Sequence, residues 1–376
     1  MDARLTEEQK RIQETAEEFI EAQGGIELAR RRMDGESDVI DELWTELADL
    51  DYTAITVPFE YEGFGEDMIY LTALLEVAGK YALPGPLPET AAFAVPLIDD
   101  LGTEAQKETY LPAIADGEQR WSFAVYDDRN GSLPESVQLE AAVEDDGFRL
   151  DGTKTLVPYG GEVDAVVVAA RTREGSGYGG ISLFVVDTDD VEANQLDSLD
   201  RTRPMYELAF DDLKLDEDAL LGPLHGGGGA LADAIDRFTV ASCAMLVGAA
   251  DRAVDLSAEH GNEREQYGQP IGRFQAVKHR AVDMWVDMQS ARSLVYHAAW
   301  ALENDEAEAG RLVAATKTYA ADRLTRAFAD GMKNHGGMGY TWDHDGHIYL
   351  KQAKAWRNFL GTPEERADEV IEARLG

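Results

Sequence analysis

Two long amphipathic segments joined by one short turn constrain the fold of this chain more than any other feature. Apolar residues recur every three or four positions from Leu231 to Leu256, before the turn, and from Phe274 to Leu302, after it. Gly268 and Pro270 interrupt the pattern, because glycine accepts turn geometry and proline cannot donate a main-chain hydrogen bond. The sequence therefore predicts two long antiparallel helices that belong to a helical bundle.

The turn between these helices carries more polar and aromatic groups than a simple connection needs. They are Arg264, Gln266, Tyr267, Phe274 and Gln275. A guanidinium can bind phosphate oxygens through two parallel hydrogen bonds, an amide can recognise the edge of a heterocycle, and an aromatic ring can lie against a flat ring. The same residues fit a plain helical hairpin with a solvated arginine, and on the turn alone both interpretations stay open.

The spacing of apolar residues changes twice along the chain and predicts three domains. Residues 1–119 have helical spacing and begin with a capping-box sequence at Thr6–Gln9. Residues 120–222 contain short alternating or β-branched runs broken by glycine and aspartate, which are typical of strands. Residues 223–376 return to helical spacing. We predict an α+β multidomain fold with a helical N-terminal domain, a β-barrel or β-sandwich middle domain and a C-terminal four-helix bundle.

The chain is strongly acidic, with a formal net charge of −39 over 376 residues and a pI near 4.4. Its carboxylates are spread through every segment and are not gathered in one tail. Such a surface repels nucleic acid and anionic membranes, so we expect neither as a partner. We interpret the acidity as adaptation to high salt in a halophilic source, where ions screen the repulsion between carboxylates. The protein should then lose structure as salt is removed.

Cysteine usage and the N-terminal segment indicate the compartment. Cys243 is the only cysteine, which excludes an intrachain disulfide and favours a reducing interior, and its apolar helical surroundings predict a core residue. Met1–Lys10 is charged and lacks the apolar stretch of a signal peptide. No apolar run reaches the length of a membrane span. We expect a cytoplasmic protein without membrane insertion.

The turn has the pattern Arg-x-Gln-aromatic-Gly-x-Pro-Ile followed by Phe-Gln, and this pattern resembles the corresponding turn of the acyl-CoA dehydrogenase family. The resemblance can be followed from Val57 to Tyr349, with the other motifs in the order of the family. It implies a flavoprotein that desaturates acyl-CoA thioesters, with FAD as cofactor and an electron-transferring flavoprotein as electron acceptor. It also implies that Arg264 and Gln266 contact the FAD of a neighbouring subunit, in a homotetramer or a heterotetramer.

Three further motifs match the family in part. Lys333–Trp342 corresponds to Gln-x-x-Gly-Gly-x-Gly-Tyr, which contacts the pyrophosphate and adenosine portion of FAD, and Lys333 replaces the glutamine. Ala124–Ser132 stands where Ala-Leu-Thr-Glu-Pro-x-Ala-Gly-Ser is usual. Leu156–Pro158 stands where Trp-Ile-Thr is usual, and Pro158 cannot donate an amide hydrogen bond. The resemblance implies FAD contacts for Arg264, Gln266, Tyr267, Phe274, Gln275, Lys333, Gly336, Gly337, Val125, Gly131, Ser132 and Thr362.

Two glycine-containing loops depart from expected patterns. Val57–Gly65 corresponds to the Pro-x-x-Tyr-Gly-Gly-x-Gly loop of the family, but Glu62 replaces the first of the paired glycines. Gly226–Gly229 could suggest a phosphate-binding loop. No Lys-Ser/Thr pair follows it and no strand directly precedes it, so we favour a flexible lead into the helix that starts near Leu231.

Three histidines near the C-terminus, His335, His344 and His347, suggest a metal site. They are not accompanied by acidic residues at ligand spacing. We therefore favour structural histidines, or histidines close to the thioester, and predict no metal.

The catalytic base is missing from its usual place. The family commonly supplies it as the glutamate of a Glu-Gly-Thr triplet, and here the triplet begins with Leu360. Proton removal beside a thioester carbonyl needs a carboxylate whose pKa is raised by burial, and leucine has none. Some relatives carry the carboxylate on an earlier helix, at the position of Phe238 here. Asp236 lies about 200° around that helix and fits only if the alignment is offset; Glu364 and Glu365 are the other carboxylates considered.

Three hypotheses for the function follow. The chain is an active acyl-CoA dehydrogenase with an unidentified base, or the base-less subunit of a heterotetramer with a base-bearing paralogue, or a non-redox scaffold that binds FAD or acyl-CoA. The first two are favoured by the retained residues Arg264, Gln266, Phe274, Gln275, Gly336 and Gly337. The last two are favoured by the departures at Tyr126, Pro158, Lys333 and Leu360. Acyl chain length and branching depend on pocket depth, which these motifs do not determine.

Overall fold

A computed structural model of the chain describes residues 5–129, 131–304 and 306–375. Asn130, in the segment predicted to face the flavin, lies outside the described residues. The helices are α1 (Glu7–Ala22), α2 (Ile26–Met33), α3 (Asp38–Asp49), α4 (Met68–Lys80), α5 (Leu87–Glu89), α6 (Val95–Leu101), α7 (Glu104–Ala115), α8 (Gly228–Glu263), α9 (Gln275–Glu303), α10 (Ala309–His335), α11 (Gly346–Asn358) and α12 (Pro363–Leu375).

The strands lie between α7 and α8, except for a short two-stranded ribbon between α8 and α9. They are β1 (Trp121–Ala124), β2 (Ala141–Glu144), β3 (Gly147–Pro158), β4 (Ala165–Arg171), β5 (Ile181–Asp187), β6 (Glu192–Leu196), β7 (Met205–Leu215), β8 (Leu220–Leu221), β9 (Glu265–Gln266) and β10 (Gln269–Pro270). The order of helices, strands and helices confirms the predicted fold class.

The start of α1 follows the sequence prediction, and the start of α8 does not. The Gln9 amide donates to Thr6 Oγ1 at 3.2 Å, and the Thr6 amide donates to Gln9 Oε1 at 3.0 Å, which is the predicted capping box. α8 begins at Gly228, three residues before the expected Leu231. A Cβ atom on Gly228 would lie 2.0 Å from the Tyr178 carbonyl oxygen, so packing explains this glycine and flexibility is not needed.

The two predicted long helices are confirmed as α8 and α9, but the turn between them differs from the expectation. α8 ends at Glu263, and the chain then forms a hairpin in which β9 pairs with β10. Tyr267 and Gly268, at its tip, have positive φ angles of 57° and 76°, the combination found in a type I′ turn. Pro270 was expected to break the helix, and it instead pairs with Glu265 in the ribbon.

The chain divides into two compact units. The first contains the described residues of Met1–Glu36, Met68–Pro84 and Thr239–Gly376, and the second contains Ser37–Asp67 and Gly85–Phe238. The helices that precede β1 are thus shared between the units, because α4 belongs to the first unit and α3 to the second. The three domain boundaries proposed from the sequence stay a prediction.

A buried polar contact joins helices within the first unit. Glu76 on α4 accepts hydrogen bonds from Arg292 Nε at 2.7 Å and from the Tyr296 hydroxyl at 2.8 Å, both on α9. Both carboxylate oxygens of Glu76 therefore have partners, as a charge inside an apolar bundle requires.

The second unit contains the β domain. One sheet has the strand order β1-β4-β5-β8, in which β1 runs parallel to β4, and the other is antiparallel with the order β2-β3-β7-β6. Buried side chains from both sheets, among them Phe148, Phe184 and Leu208, share one apolar core. The middle domain is therefore a β-sandwich, one of the two architectures predicted.

Among the described helices, none combines the length and the apolar character that crossing a bilayer demands.

Candidate functional site

The residues singled out in the turn lie together at the tip of the α8–α9 hairpin. Arg264, Gln266 and Tyr267 are exposed, and Tyr267 retains 93% of its accessible surface. The rings of Tyr267 and Phe274 meet edge to face with centroids 6.0 Å apart, and Gln275 begins α9. A guanidinium, an amide and an aromatic ring at one exposed tip are available to a group that approaches from outside the chain.

The glycine-rich segment after α10 leaves open space beside its main chain. Lys333 lies in the last turn of α10, and the 3₁₀ turn Gly336–Tyr340 follows. Gly336 has a φ of 62°, and a Cβ atom added at Gly336 or Gly337 would meet nothing within 4 Å. Packing therefore does not require a glycine at 337, and the main chain there is open to the close approach of a ligand. Lys333 Nζ lies 2.8 Å from Asp330 Oδ1, so its charge is already partly balanced.

Histidines beside this segment pack on one another. The ring of His335 lies 4.6 Å from that of His260 and 4.1 Å from that of His344. Burial, with a smaller contribution from the neighbouring His335, lowers the pKa of His344 to about 4, so His344 is neutral at neutral pH. His347 stacks on Trp342 with centroids 4.7 Å apart. Within the described ranges, no group of three His, Cys, Asp or Glu side chains is arranged to hold a metal ion.

Val125, Gly131 and Ser132 lie on one loop after β1, in the second unit. Val125 is buried, and so is Tyr126, which replaces the usual threonine. Pro158 ends β3, and its carbonyl oxygen accepts a hydrogen bond from Ser122 Oγ at 2.6 Å. Because proline has neither an amide nor a hydroxyl hydrogen, Pro158 cannot donate a hydrogen bond to a cofactor, as the sequence indicated.

The triplet position is occupied by a fixed, apolar residue. Leu360 is 2% exposed and has a φ of 56°. Its carbonyl oxygen accepts hydrogen bonds from Arg366 Nη2 at 2.9 Å and Nε at 3.2 Å. Lys317 Nζ donates to the carbonyl oxygen of the preceding Phe359 at 3.0 Å. Both the side chain and the main chain at this position are thus committed to packing in the first unit.

The carboxylates and the threonine that follow Leu360 serve α12. The Glu365 amide donates to Thr362 Oγ1 at 3.2 Å, and the Thr362 amide donates to Glu365 Oε2 at 2.8 Å, which is a capping box. Thr362 was predicted to bind the cofactor, and in this structure its hydroxyl caps the helix. Main-chain hydrogen bonding and the nearby Arg357 lower the pKa of Glu364, the opposite of what a general base requires at neutral pH.

Phe238, at the alternative position of the base, is enclosed by aromatic rings of the second unit. Its ring centroid lies 4.9 Å from that of Phe123 and 6.5 Å from that of Phe93, both in edge-to-face contact. The guanidinium of Arg203 lies over the ring of Phe238 at 5.2 Å. Asp236 is half-buried on the same helix, two residues earlier. The two positions considered for the catalytic base are thus occupied by the buried apolar side chains of Leu360 and Phe238.

A buried carboxylate that the sequence patterns did not single out lies close to Phe238. Glu89 is fully buried, its Oε1 atom forms an ion pair with Arg203, and its Oε2 atom has no hydrogen-bond partner among the described residues. Burial raises the pKa of Glu89, and Arg203 opposes the change. A signal was present in the sequence, because Glu89 is the only charged residue between Lys80 and Asp99.

The chain is similar to known acyl-CoA dehydrogenases over nearly its whole length. Residues 6–118 match the N-terminal domain of acyl-CoA dehydrogenase, and residues 226–375 match the C-terminal domain. An acyl-CoA dehydrogenase of Bacillus subtilis (strain 168) is 30% identical over 82% of this chain and 83% of its own length.

Solved structures agree with these matches. The structure of butyryl-CoA dehydrogenase from Megasphaera elsdenii has a TM-score of 0.92 and 26% identity, and the match covers 100% of both chains. A structure described as the electron transferring flavoprotein of Acidaminococcus fermentans, in work on flavin-based electron bifurcation, has a TM-score of 0.92 and 28% identity, again over 100% of both chains.

Proposed function

The chain belongs to the acyl-CoA dehydrogenase family, and we propose that it takes part in the FAD-dependent α,β-dehydrogenation of an acyl-CoA thioester. Its relatives and structural neighbours include dehydrogenases of this family, so the predicted enzyme class is confirmed. FAD is the cofactor of the family, and the prediction of FAD is confirmed at that level. The acyl substrate, the residues that hold the cofactor and the subunit composition belong to the proposal.

The observation that carries the proposal is the exposed hairpin tip. Tyr267 lies in the two-residue turn, Gln266 in β9 and Arg264 directly before β9, and all three are exposed. Tyr267 holds a positive φ of 57°, a conformation that costs a non-glycine residue free energy. An aromatic ring that is both exposed and held in this way is best explained by a ligand. We infer that the hairpin of one subunit holds the FAD of a neighbouring subunit.

The residues of this chain fit the phosphate and ring portions of FAD. The Arg264 guanidinium can neutralise pyrophosphate oxygens, and the open space at Gly336 and Gly337 can admit them close to the main chain. Tyr267 can lie against a flat ring, and Gln266 can bind a heterocycle edge. When bound, FAD supplies the acceptor for the hydride that leaves the β-carbon.

The base-less subunit of a mixed assembly is a second candidate, and the environment of two residues favours it. Leu360 and Phe238 are both buried, and neither side chain can accept a proton. In such an assembly the proton would be removed by a glutamate of a base-bearing paralogue. This chain would contribute the hairpin and the acyl-CoA contacts of its own fold.

Visible absorbance separates the candidates. The chain is purified alone and with a base-bearing paralogue, each preparation is given FAD, and saturated acyl-CoA thioesters of increasing length are added without oxygen. Bleaching of the flavin by substrate in the chain alone supports the complete enzyme, whereas bleaching that needs the paralogue supports the base-less subunit. A colourless protein in every combination would refute both and leave a non-redox scaffold.

A substitution at the hairpin tip tests the cofactor site directly. Arg264→Ala should lower the FAD content of the purified protein, because one charged partner of the pyrophosphate is lost. The matched control is Arg273→Ala, which removes another exposed arginine, from the 3₁₀ turn Ile271–Arg273 in the same connection. Equal FAD stoichiometry in both variants would contradict the proposed role of Arg264.

The electron acceptor and the salt requirement are the remaining parts of the proposal. The similarity to the structure described as an electron transferring flavoprotein supports such a protein as acceptor. The net charge of −39 supports a halophilic source. A homo-oligomer and a hetero-oligomer both place a second hairpin beside the first FAD.

A further inference from the structure

Lys154, on β3, is a fully buried lysine with no role in the site described above. Its side chain is 0% exposed, and its Nζ atom lies 2.6 Å from Asp127 Oδ1 and 3.4 Å from the Val125 carbonyl oxygen. Burying an ammonium group is costly unless it is paired and hydrogen-bonded. Asp127 and Val125 belong to the loop after β1, so among the described residues it is this loop that holds the ammonium group.

Asp127 extends this contact to a second segment. Its Oδ2 atom accepts hydrogen bonds from the main-chain amides of Gln138 and Leu139, the latter at 2.8 Å. These amides follow the part of the loop that contains Gly131 and Ser132. A single carboxylate, with Lys154 as its counter-ion, therefore joins the beginning of the loop to the segment where the loop returns to the sandwich.

Thr155, the residue after Lys154 on β3, fixes Tyr126, which lies between Val125 and Asp127. Its amide donates to the Tyr126 carbonyl oxygen at 2.8 Å. The main chain of Val125 and Tyr126 and the side chain of Asp127 are thus all fixed by two consecutive residues of one strand. Functional loops are commonly positioned by a rigid element in this manner.

We propose that Lys154 and Asp127 are positioning residues that fix the main chain of Val125–Asp127 in the geometry that contacts the flavin. This inference rests on the proposed function, because it takes the loop after β1 to face FAD. A buried ion pair suits the task, since its loss leaves an uncompensated charge and alternative loop conformations are therefore costly. Lys154 acts through the loop and does not itself touch the reacting atoms.

The test uses the full chain, in whichever assembly binds FAD. Lys154→Met/Asp127→Asn removes both charges and leaves neither unpaired, so the variant should still melt cooperatively. FAD affinity should fall about tenfold, because the loop is no longer fixed by a charged contact. The visible spectrum and the midpoint potential of the bound flavin should also change. The control is Lys214→Met, which removes an exposed lysine from β7 and should behave as wild type.

Two outcomes would overturn the inference. One is a double variant with the FAD affinity, spectrum and midpoint potential of the wild type. The other concerns Lys154→Arg, which keeps the positive charge and should retain FAD affinity within a few-fold while shifting the flavin spectrum. An unshifted spectrum in Lys154→Arg would contradict a positioning role. This variant still tests the inference if the double variant does not fold. A wild-type protein that binds no FAD in any assembly overturns the proposed function instead, and the inference with it.

Discussion

Among single residues, the buried ion pair between Glu89 and Arg203 leads to the first prediction. Arg203→Met removes the partner of a fully buried carboxylate, so the free energy of unfolding should fall by about 3–5 kcal/mol. Urea unfolding followed by circular dichroism measures the change. Glu89→Leu/Arg203→Met replaces both charges by apolar groups and should recover most of the loss.

An exposed ion pair of the same unit provides the control for this measurement. Arg149 pairs with Glu144 at 2.6 Å on the surface of the sandwich, and Arg149→Met should change stability little, because water screens exposed pairs. A similar loss in Arg149→Met and Arg203→Met would show that burial of the pair is not the cause.

Lys154 leads to a prediction about pH. Burial lowers its pKa from 10.5 to about 8, while the facing Asp127 opposes the shift and Arg171 adds to it. Between pH 8 and 10.5 the unfolded chain therefore binds more protons than the folded chain, and stability rises with pH. This gain in the free energy of unfolding is complete above pH 10.5, where it amounts to ~3 kcal/mol, and it is lost as the pH falls through about 8.

The measurement compares urea unfolding of wild type and Lys154→Met at several pH values from 7 to 11. The difference between their unfolding free energies should vary across the window given by the two pKa values. A difference that stays constant over that range would contradict a lowered pKa of Lys154.

Among the secondary-structure elements, the α8–α9 hairpin offers a prediction in which stability and function change in opposite directions. Asn tolerates positive φ and precedes glycine in the preferred type I′ turn, so Tyr267→Asn should stabilise the free chain by up to ~1 kcal/mol. The same change removes the ring that we propose contacts FAD, and FAD affinity should fall. Thermal melting of the apoprotein and titration with FAD measure the two effects.

Gly268→Ala is the matched variant for the hairpin. Alanine is strained at its φ of 76°, so this change should lower the melting temperature of the apoprotein without removing an aromatic contact. If Tyr267→Asn raised both the melting temperature and the FAD affinity, the role given to the ring would be wrong.

The same elements show what the sequence could and could not provide. The helices α8 and α9 were predictable, because apolar residues recur along both every three or four positions, although α8 is buried on all sides from Phe238 to Ala244. The hairpin was not, because a tyrosine at positive φ contradicts its ordinary preference. Glu62 illustrates the same limit: its φ is 70°, so the chain keeps the backbone conformation that favours glycine although the glycine itself is absent.

Residues of the candidate site could be proposed from the sequence only where they lie together in one segment. The hairpin residues and the glycines after α10 could be located, because each set is continuous in sequence. Glu89 and Arg203 could not be paired, because 113 residues separate them and neither belongs to a local motif. The ion pair between Lys154 and Asp127 was missed for the same reason, since only the register of β3 against the loop brings them together.

Across the whole molecule, the division into two units differs from the order of segments along the chain. α4 is grouped with the C-terminal helices, whereas α3 and α5 are grouped with the β-sandwich. Local spacing predicts which residues form helices, but it does not contain the long-range contacts that decide which helices pack together. The three predicted domains describe segments of sequence, and the two units describe packing.

The net charge of −39 makes the last prediction, which concerns the whole molecule. Unscreened carboxylates repel one another in the compact state, and at 0.1 M salt the screening length is still about 10 Å. The melting temperature should therefore rise steeply as NaCl increases from about 0.05 M to about 2 M, and part of the structure should be lost at the low end. Differential scanning calorimetry across this series measures the effect.

A second salt series distinguishes screening from general salting-out. Screening depends on ionic strength, whereas salting-out depends on the identity of the anion, so chloride and sulfate compared at equal ionic strength should give similar gains at low salt and diverge only at high salt. Sucrose, which is excluded from protein surfaces but carries no charge, should not replace NaCl at the low end. A melting temperature that is independent of NaCl, or that responds equally to sucrose, would mean that the acidic surface is not an adaptation to salt.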